Sequence, residues 1–529
     1  MKIGENIAAA RTKAGLTQED LAVYVGVSRQ AVQKWESGAA LPELEKLVLI
    51  CRRFDVTLDE MAGDNSFART AGERRAGHKH LPNYSRPHRW DLYSADFKIE
   101  YQQLLDEGRD VDKYRNLVFE INALAPTAER EAATEAVAAL MFSEPVKEGY
   151  PFYEPSNLEE IRSCRKLFCA PLPKPGSREN LANKIKGAWL GRIAGCLLGK
   201  PYEGIRTNEL NLVLKATNNY PMKRYTLQAE LTEEICQQVT FKLACRCWAD
   251  TVTAAPADDD TNYTVMAATQ IIEKCGYDFQ PHDVLRTWIA CQPKNAYCTA
   301  EQVAYINFVN GYEPPVSAIH KNPYREWIGA QIRADYYGYI NPGNPQAAAD
   351  MAWRDASISH TKNGIYGAMF VAAMLAVAAV YDDIKTVILR GLAEIPEKSR
   401  LYVEILELLT LYEAGKTSED CIAFIHARYD ENSSHGWCHT VSNALIVVAA
   451  LLYGGKDYGK SICLAVGCGF DTDCNGATVG SIVGMMIGAC EIPEEWTAPF
   501  GGLLKTDISG AECVSVDMLC DLTMRHMVK

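Results

Sequence analysis

The sequence predicts an all-α chain, and three observations carry that prediction. Residues 1–64 show short capped helical periods parted by Gly and Pro. Residues 89–180 are charged and amphipathic at helical spacing, and residues 181–529 are rich in Ala and Gly, with glycines at every fourth place in one run. Between the first two parts, residues 65–88 lose periodicity. A chain of 529 residues holds two to four domains at ~150 residues each, so at least one part buries a sizeable core.

The first part is justified residue by residue. In Gly15-Leu16-Thr17-Gln18 and onward to Gly38, Thr17 caps one helix, Gly26 supplies a turn and Ser28 caps the next. Leu21, Ala22, Val27, Val32 and Trp35 fall where each helix buries one face, leaving Arg29, Gln30, Gln33 and Lys34 outward on the second. This run, with Pro42 and the closing Leu58-Asp59-Glu60-Met61, resembles the helix-turn-helix of the phage-repressor (Cro/C1, or XRE-type) family. The resemblance implies a small five-helix domain whose second motif helix enters the major groove of double-stranded DNA. It puts Arg29, Gln30 and Gln33 at base-reading positions and Gln18 and Lys34 at phosphates. Residues 1–64 carry eight basic and ten acidic side chains, a net of −2. Dimerisation into a homodimer, or the tether that follows, is therefore expected to supply affinity. The alternative is a helical interaction module that has kept the fold without the DNA.

Residues 65–88 read as a flexible basic linker. From Asn65 to Trp90 there are six Arg or Lys against Glu73 alone, with His78, His80 and His88 besides, and too few apolar residues to bury. Residues 89–180 read as an accessory helical segment: Leu104, Leu105, Leu117 and Phe119 sit among acids, an Ala-rich helix runs from Glu131 to Phe142, and prolines from Pro151 to Pro175 punctuate the end. The segment shows no recognisable chemistry.

Residues 181–529 hold four features. The first is Gly187-Ala188-Trp189-Leu190-Gly191 continuing to Gly195 and Gly199, then Lys200-Pro201-Tyr202-Glu203. The glycine stripe permits close helix contact, Pro201 ends the helix, and Glu203 is presented after it. The second is Asp258-Asp259-Asp260-Thr261 before an apolar run, which reads either as helix caps or as a cage whose carboxylates need a hard cation. The third is Gly469-Phe470-Asp471-Thr472-Asp473-Cys474, two acids at i and i+2 leading into a small-residue helix with no Lys or Arg between Gly467 and Pro493. Carboxylates beside a core need a partner, either a cation or a basic group from elsewhere in the chain. The fourth is Ser359-His360-Thr361 opening the Ala-rich helix, with Gly329, Gln331 and Arg333 upstream. Backbone donors and a guanidinium there suit an anion, the alternative being a buried ion pair of Arg333 with Asp335 or Asp350.

Together, in this order from about Lys184 to Ala489, the four resemble the ADP-ribosylglycohydrolase family of the dinitrogenase-reductase-activating glycohydrolase type. The resemblance implies a large all-helical bundle with two Mg²⁺ ions, Mn²⁺ being the other candidate, that cleaves ADP-ribose from a modified protein side chain. Carried over by position, Asp258, Asp259, Asp260, Asp471, Asp473 and Cys474 are the metal ligands. Glu203, with Asp259 and Asp260, is catalytic, and Gly329, Gln331, Arg333 and His360 contact substrate. The chain departs from the family where Asp258 replaces a common Thr or Ser, Cys474 replaces a Thr or Ser ligand, and Cys196 replaces a common Asp. A thiol is a poor ligand for Mg²⁺.

The expected chemistry is hydrolysis at an anomeric carbon through an oxocarbenium-like state, which needs an activated water, a leaving-group acid and fixed ribose hydroxyls. Three other readings stay open: a hydrolase of free nucleosides or other N-glycosides, a transcription regulator whose hydrolase-like domain only senses ADP-ribose or a nucleotide, and an antitoxin-type antidote that reverses ADP-ribosylation and represses its own operon. The net charge of −13 excludes a whole-molecule field for nucleic acid or anionic lipid. The 18 scattered cysteines without a C-x-x-C pair, and an N-terminus without a targeting pattern, give a cytoplasmic expectation with no membrane partner. The apolar run Tyr366 to Tyr381 falls short of the ~20 residues that span a bilayer and reads as a buried helix.

Overall fold

Thr17 and Asp20 form a reciprocal capping box, and this local chemistry starts the second of four helices described in the N-terminal unit. The computed structural model describes residues 3–54, 56, 61, 80–88, 90–166 and 171–527. It divides the chain into two compact units, the first made of Met1–His80 with Val309–Gly311 and the second of Leu81–Phe308 with Tyr312–Lys529. The first unit holds α1 (Ile3–Lys13), α2 (Gln18–Val25), α3 (Arg29–Glu36) and α4 (Leu44–Phe54). Gly26 ends α2 in the left-handed region (φ 69°), and Ser28 caps α3 by accepting from the Ala31 N–H. Ile7, Leu21, Val32, Trp35 and Ile50 close the small core, as the spacing required. The expected fifth helix, at Leu58-Asp59-Glu60, and most of the expected linker, residues 65–79, lie outside the described residues.

In the second unit, α5 (Phe97–Asp106), α6 (Arg115–Ala123) and α7 (Ala128–Ser143) make the accessory segment. They share a core of their own around Phe97, Leu104, Val118, Val137 and Met141. Leu117 and Phe119 face outward, and Phe119 is overlain by the Lys98 ammonium at 4.4 Å. Buried ion pairs tie the segment to the bundle: Arg325 reaches Glu100 at 2.6 Å and Glu107 at 2.8 Å, and Lys362 reaches Glu107 at 2.8 Å.

The bundle is built on α8 (Arg178–Gly199), α9 (Asp259–Met266), α10 (Pro345–Ala356), α11 (Lys362–Ala378), α12 (Thr440–Gly454), α13 (Tyr458–Gly467) and α14 (Thr472–Ile487). The Ala-rich α11 is buried from Asn363 to Ala378 and forms the centre of the core. Among the described residues the only strands are a short antiparallel pair, β1 (Leu503–Lys505) and β2 (Cys513–Ser515), in which Leu504 faces Val514. No described helix is long and apolar enough to cross a membrane.

Candidate metal centre

The site forms where α8 ends and α14 begins. A Cβ built on Gly195 would stand 2.0 Å from the carbonyl oxygen of Gly476, and one on Gly476 would stand 2.4 Å from that of Gly195. Gly191 with Gly480, and Gly187 with Gly484, repeat the relation at 2.1–2.2 Å. Only glycine lets two backbones approach so closely, so the stripe sets an antiparallel contact between the helices. At its end the Thr472 hydroxyl donates to the Gly199 carbonyl at 3.0 Å. This carries Lys200 and Glu203 over Asp471 and Asp473.

The turn into α14 is made by Gly469 and Phe470, both left-handed (φ 78° and 57°). A bulky residue holds that conformation only where its surroundings enforce it. Here the Asn443 side-chain oxygen accepts from the Asp471 N–H at 3.2 Å and from Asn475 Nδ2 at 2.8 Å. The acidic triplet opens α9, and Asp258 Oδ1 caps it by accepting from the Asp260 N–H at 2.9 Å. Beneath it the buried Arg192 donates to the Asp260 carbonyl from Nε (2.8 Å) and Nη2 (2.6 Å) and pairs with Asp335 at 2.9 Å.

Lys200 lies among the acids. Its ammonium is 2.6 Å from Asp258 Oδ2, 2.7 Å from Glu203 Oε2 and 3.3 Å from Asp473 Oδ2. Burial and mutual repulsion push the carboxyls of Asp259, Asp260 and Asp471 well above their ordinary range, and burial with the Glu203 charge takes Asp473 to about 7. Burial works against Asp258 as well, but the Lys200 charge outweighs it and holds that carboxyl low. Three buried oxygens of the cage, Asp258 Oδ2, Asp260 Oδ2 and Asp473 Oδ1, have no hydrogen-bond partner, although Asp258 Oδ2 is ion-paired with Lys200. One ligand atom from each of Asp260, Asp473 and Cys474 lies within 4.8 Å of the others. Clustered carboxylate oxygens without donors are what a hard divalent cation takes, so the residues present fit such an ion.

A cleft of about 420 Å³ opens over these acids, within the range of small-molecule sites. Glu203, Asp259, Asp471, Asp473 and Cys474 line its acidic side, Trp90, Trp327 and Trp437 its aromatic side, and Arg206 and Arg246 bring cations to it. Trp90, from the accessory segment, is left-handed at φ 69°. Glu301 also lines the cleft; burial raises its carboxyl to about 7 although Arg333 Nη1 donates to it at 2.7 Å.

The sequence-predicted residues divide accordingly. Glu203 and all five aspartates converge as expected, together with Cys474, but Asp258 has one oxygen in a cap and the other on Lys200. Of the expected substrate contacts only Gly329 lines the cleft. Arg333 is buried beneath it with all five N–H donors committed: Nε to Asp355, Nη1 to Glu301 and the Gly329 carbonyl, Nη2 to the Asp355 carbonyl and Ser359. Its acids are therefore Asp355 and Glu301, while Asp335 pairs with Arg192 and Asp350 with Arg162 at 2.6 Å. His360 is buried with Nδ1 2.8 Å from Ser359 Oγ, and Gln331 is buried with neither amide atom bonded.

Lys200, Glu301, Trp90 and Trp437 were not singled out by the sequence. Lys200 stood in the quoted glycine run, where a cation at a helix C-terminus reads as ordinary dipole complementation. In the first unit Arg29, Gln30, Gln33 and Lys34 are exposed on α3, whereas Gln18 Nε2 donates to Glu36 Oε2 at 2.8 Å beside the Arg11–Glu36 pair.

Fold and site thus define a helical bundle with an acidic, cation-ready cleft, in a chain that also carries a small helix-turn-helix unit. A family model described as ADP-ribosylglycohydrolase matches residues 177–523, and one described as helix-turn-helix matches residues 7–61. The chain belongs to the ADP-ribosylglycohydrolase family, with a helix-turn-helix domain fused before it. Curated relatives match short stretches of the chain. They include the HTH-type transcriptional activator BcrR of Enterococcus faecalis, 40% identical over 85 residues (16% of this chain, 42% of the relative). The cryptic phage CTXphi transcriptional repressor RstR of Vibrio cholerae is 38% identical over 63 residues (12% and 56%). The antitoxin PezA of Streptococcus pneumoniae is 33% identical over 63 residues (12% and 40%). The chain thus spans about half the length of these relatives. A solved "ADP-ribosylglycohydrolase-related protein complex" aligns with 66% of this chain and 99% of its own, at 16% identity and a TM-score of 0.39.

Proposed function

We propose that the bundle is a metal-dependent glycohydrolase that releases ADP-ribose from a modified side chain or a related N- or O-glycoside, and that the N-terminal unit binds double-stranded DNA. The observation that carries the first part is the convergence of Glu203, Asp259, Asp471 and Asp473 on one cleft, with Asp260 buried next to Asp473 behind it and carboxylate oxygens left unpartnered. Asp259, Asp260, Asp471 and Asp473 would hold Mg²⁺ or Mn²⁺. When bound, a hard cation fixes ribose hydroxyls and lowers the pKa of water.

The chain's own groups do the rest. Glu203 stands at the cleft with its side chain 41% exposed, placed to move a proton to or from a leaving group. The three tryptophans offer stacking faces to an aromatic base. Arg206 and Arg246 suit a diphosphate, a task the fully committed Arg333 leaves to them. Arg333 instead holds Glu301 and the Gly329 loop in place. In the N-terminal unit, the exposed Arg29, Gln30, Gln33 and Lys34 support base and phosphate contacts.

The test is to incubate the full chain, with and without Mg²⁺ or Mn²⁺, against arginine- and serine-linked ADP-ribosyl proteins and free nucleosides. Metal-dependent release of ADP-ribose supports the reading. Turnover of nucleosides alone reassigns the substrate, and binding of ADP-ribose without turnover favours a regulator that senses it.

A further inference from the structure

We infer that Lys200 is a resident cation that takes the place of one metal ion, so that this cage binds a single divalent ion. The inference rests on the metal-dependent reading above. The Lys200 side chain is 24% exposed, and its ammonium lies within ion-pair distance of three carboxylates, Asp258 Oδ2 at 2.6 Å, Glu203 Oε2 at 2.7 Å and Asp473 Oδ2 at 3.3 Å, donating hydrogen bonds to the last two. An ammonium held among three carboxylates inside an acidic cleft is part of the site and not a solvated surface charge.

Its position divides the cage into two sides. On the Lys200 side, Asp258 Oδ1 caps α9, and Oδ2, which accepts no hydrogen bond, stands 2.6 Å from the ammonium as its counter-charge. The donor grouped there with Asp258 and Asp260 is the buried thiol of Cys196, which a hard ion shuns. A divalent ion bound at Asp258 would also stand beside the fixed positive charge and be repelled by it. On the other side lie the unpartnered Asp260 Oδ2 and Asp473 Oδ1, the second on a carboxylate whose other oxygen meets Lys200. Asp259 and Asp471 line the same cleft and add oxygens that outnumber the Cys474 thiol grouped there. Those carboxylates make one oxygen site. The other oxygen of Asp260 already faces Arg192 Nη2 at 3.4 Å, a second fixed cation below the cage.

The test counts ions on the full chain, by equilibrium dialysis against Mn²⁺ with elemental analysis and by the electron paramagnetic resonance of the bound ion. The wild type is expected to bind one Mn²⁺ per chain with the resolved hyperfine pattern of an isolated ion. Lys200→Met and Lys200→Gln are expected to bind two, with the broadened signal of a coupled pair, and Lys200→Arg to stay at one. Thermal melts check that each variant is folded; the wild-type count decides even where a variant is not. Two coupled ions in the wild type, or one in folded Lys200→Met and Lys200→Gln, would overturn the inference while leaving the metal-dependent reading intact. No bound ion in any of these proteins would overturn both.

Discussion

Gly195 on α8 and Gly476 on α14 meet backbone to backbone, each leaving the other's carbonyl oxygen less than 2.5 Å from any added Cβ. This contact holds the two halves of the acidic site together, because Glu203 follows the end of one helix and Asp471 begins the other. Gly195→Ala or Gly476→Ala is therefore expected to destabilise the bundle by about 1–3 kcal/mol, the usual cost of overpacking. Metal affinity should fall with it, since parting the helices separates the acids. Thermal melting and Mn²⁺ titration on the same samples check both effects.

Arg333 and Arg206 are expected to fail in different ways. Arg333→Ala leaves Glu301 and Asp355 buried without their cation, and breaking such a pair costs about 3–5 kcal/mol. Arg206→Ala removes a charge at the cleft and should leave the melting temperature near that of the wild type. Its KM should rise about tenfold or more, the loss of one charge-assisted bond to a diphosphate. A stable Arg333→Ala with a raised KM would return that residue to the substrate role its sequence position suggested.

The boundary between what the sequence carried and what it did not runs through these residues. Thr17, Ser28 and Asp258 cap helices by local rules, so their roles are legible from neighbours in the chain. The glycine stripe was legible as close packing, and its function follows from which helix it packs on. Asp471 and Asp473 posed a choice between a cation and a distant basic group, and Lys200, more than 270 positions away, faces Asp473 at 3.3 Å. No local pattern encodes that meeting. For the same reason Arg333 read as either an anion receptor or the buried partner of Asp335 or Asp350: it is in a buried ion pair, but with Glu301 and Asp355, supplied by separate helices. Trp90 opens the accessory segment, which showed no recognisable chemistry, and its place in the cleft depends on how that segment docks.

Glu301 gives a pH dependence of defined sign. Its carboxyl stands at about 7 in the fold, raised by burial from an ordinary 4.5. The folded chain therefore holds this proton more tightly than the unfolded chain does. The contribution to stability is fully present below about pH 4.5 and is lost as pH rises through about 7, a span worth about 3 kcal/mol. Urea unfolding of wild type and Glu301→Gln from pH 4.5 to 8 should yield a difference curve with that slope. A flat difference would contradict it.

On the N-terminal unit, Gln33→Ala is expected to cost about 1–3 kcal/mol of specific DNA binding and to relax preference at one base position. Lys34→Ala should weaken binding to all sequences alike and lower the salt dependence. Gln18→Ala should act through the Arg11–Glu36 network on stability, by about 1 kcal/mol. Footprinting of a selected site, with melting of the isolated variants, separates the three.

The convergent aspartates are proposed to make a cation-dependent glycohydrolase. Release of ADP-ribose from arginine- or serine-linked protein, measured for the wild type and for Asp471→Ala/Asp473→Ala with Mg²⁺ and after chelation, tests it most directly. Release by the wild type with metal is expected, with loss of at least a hundredfold on chelation or in the folded double variant. An undiminished rate in the chelated enzyme or in the variant would contradict it.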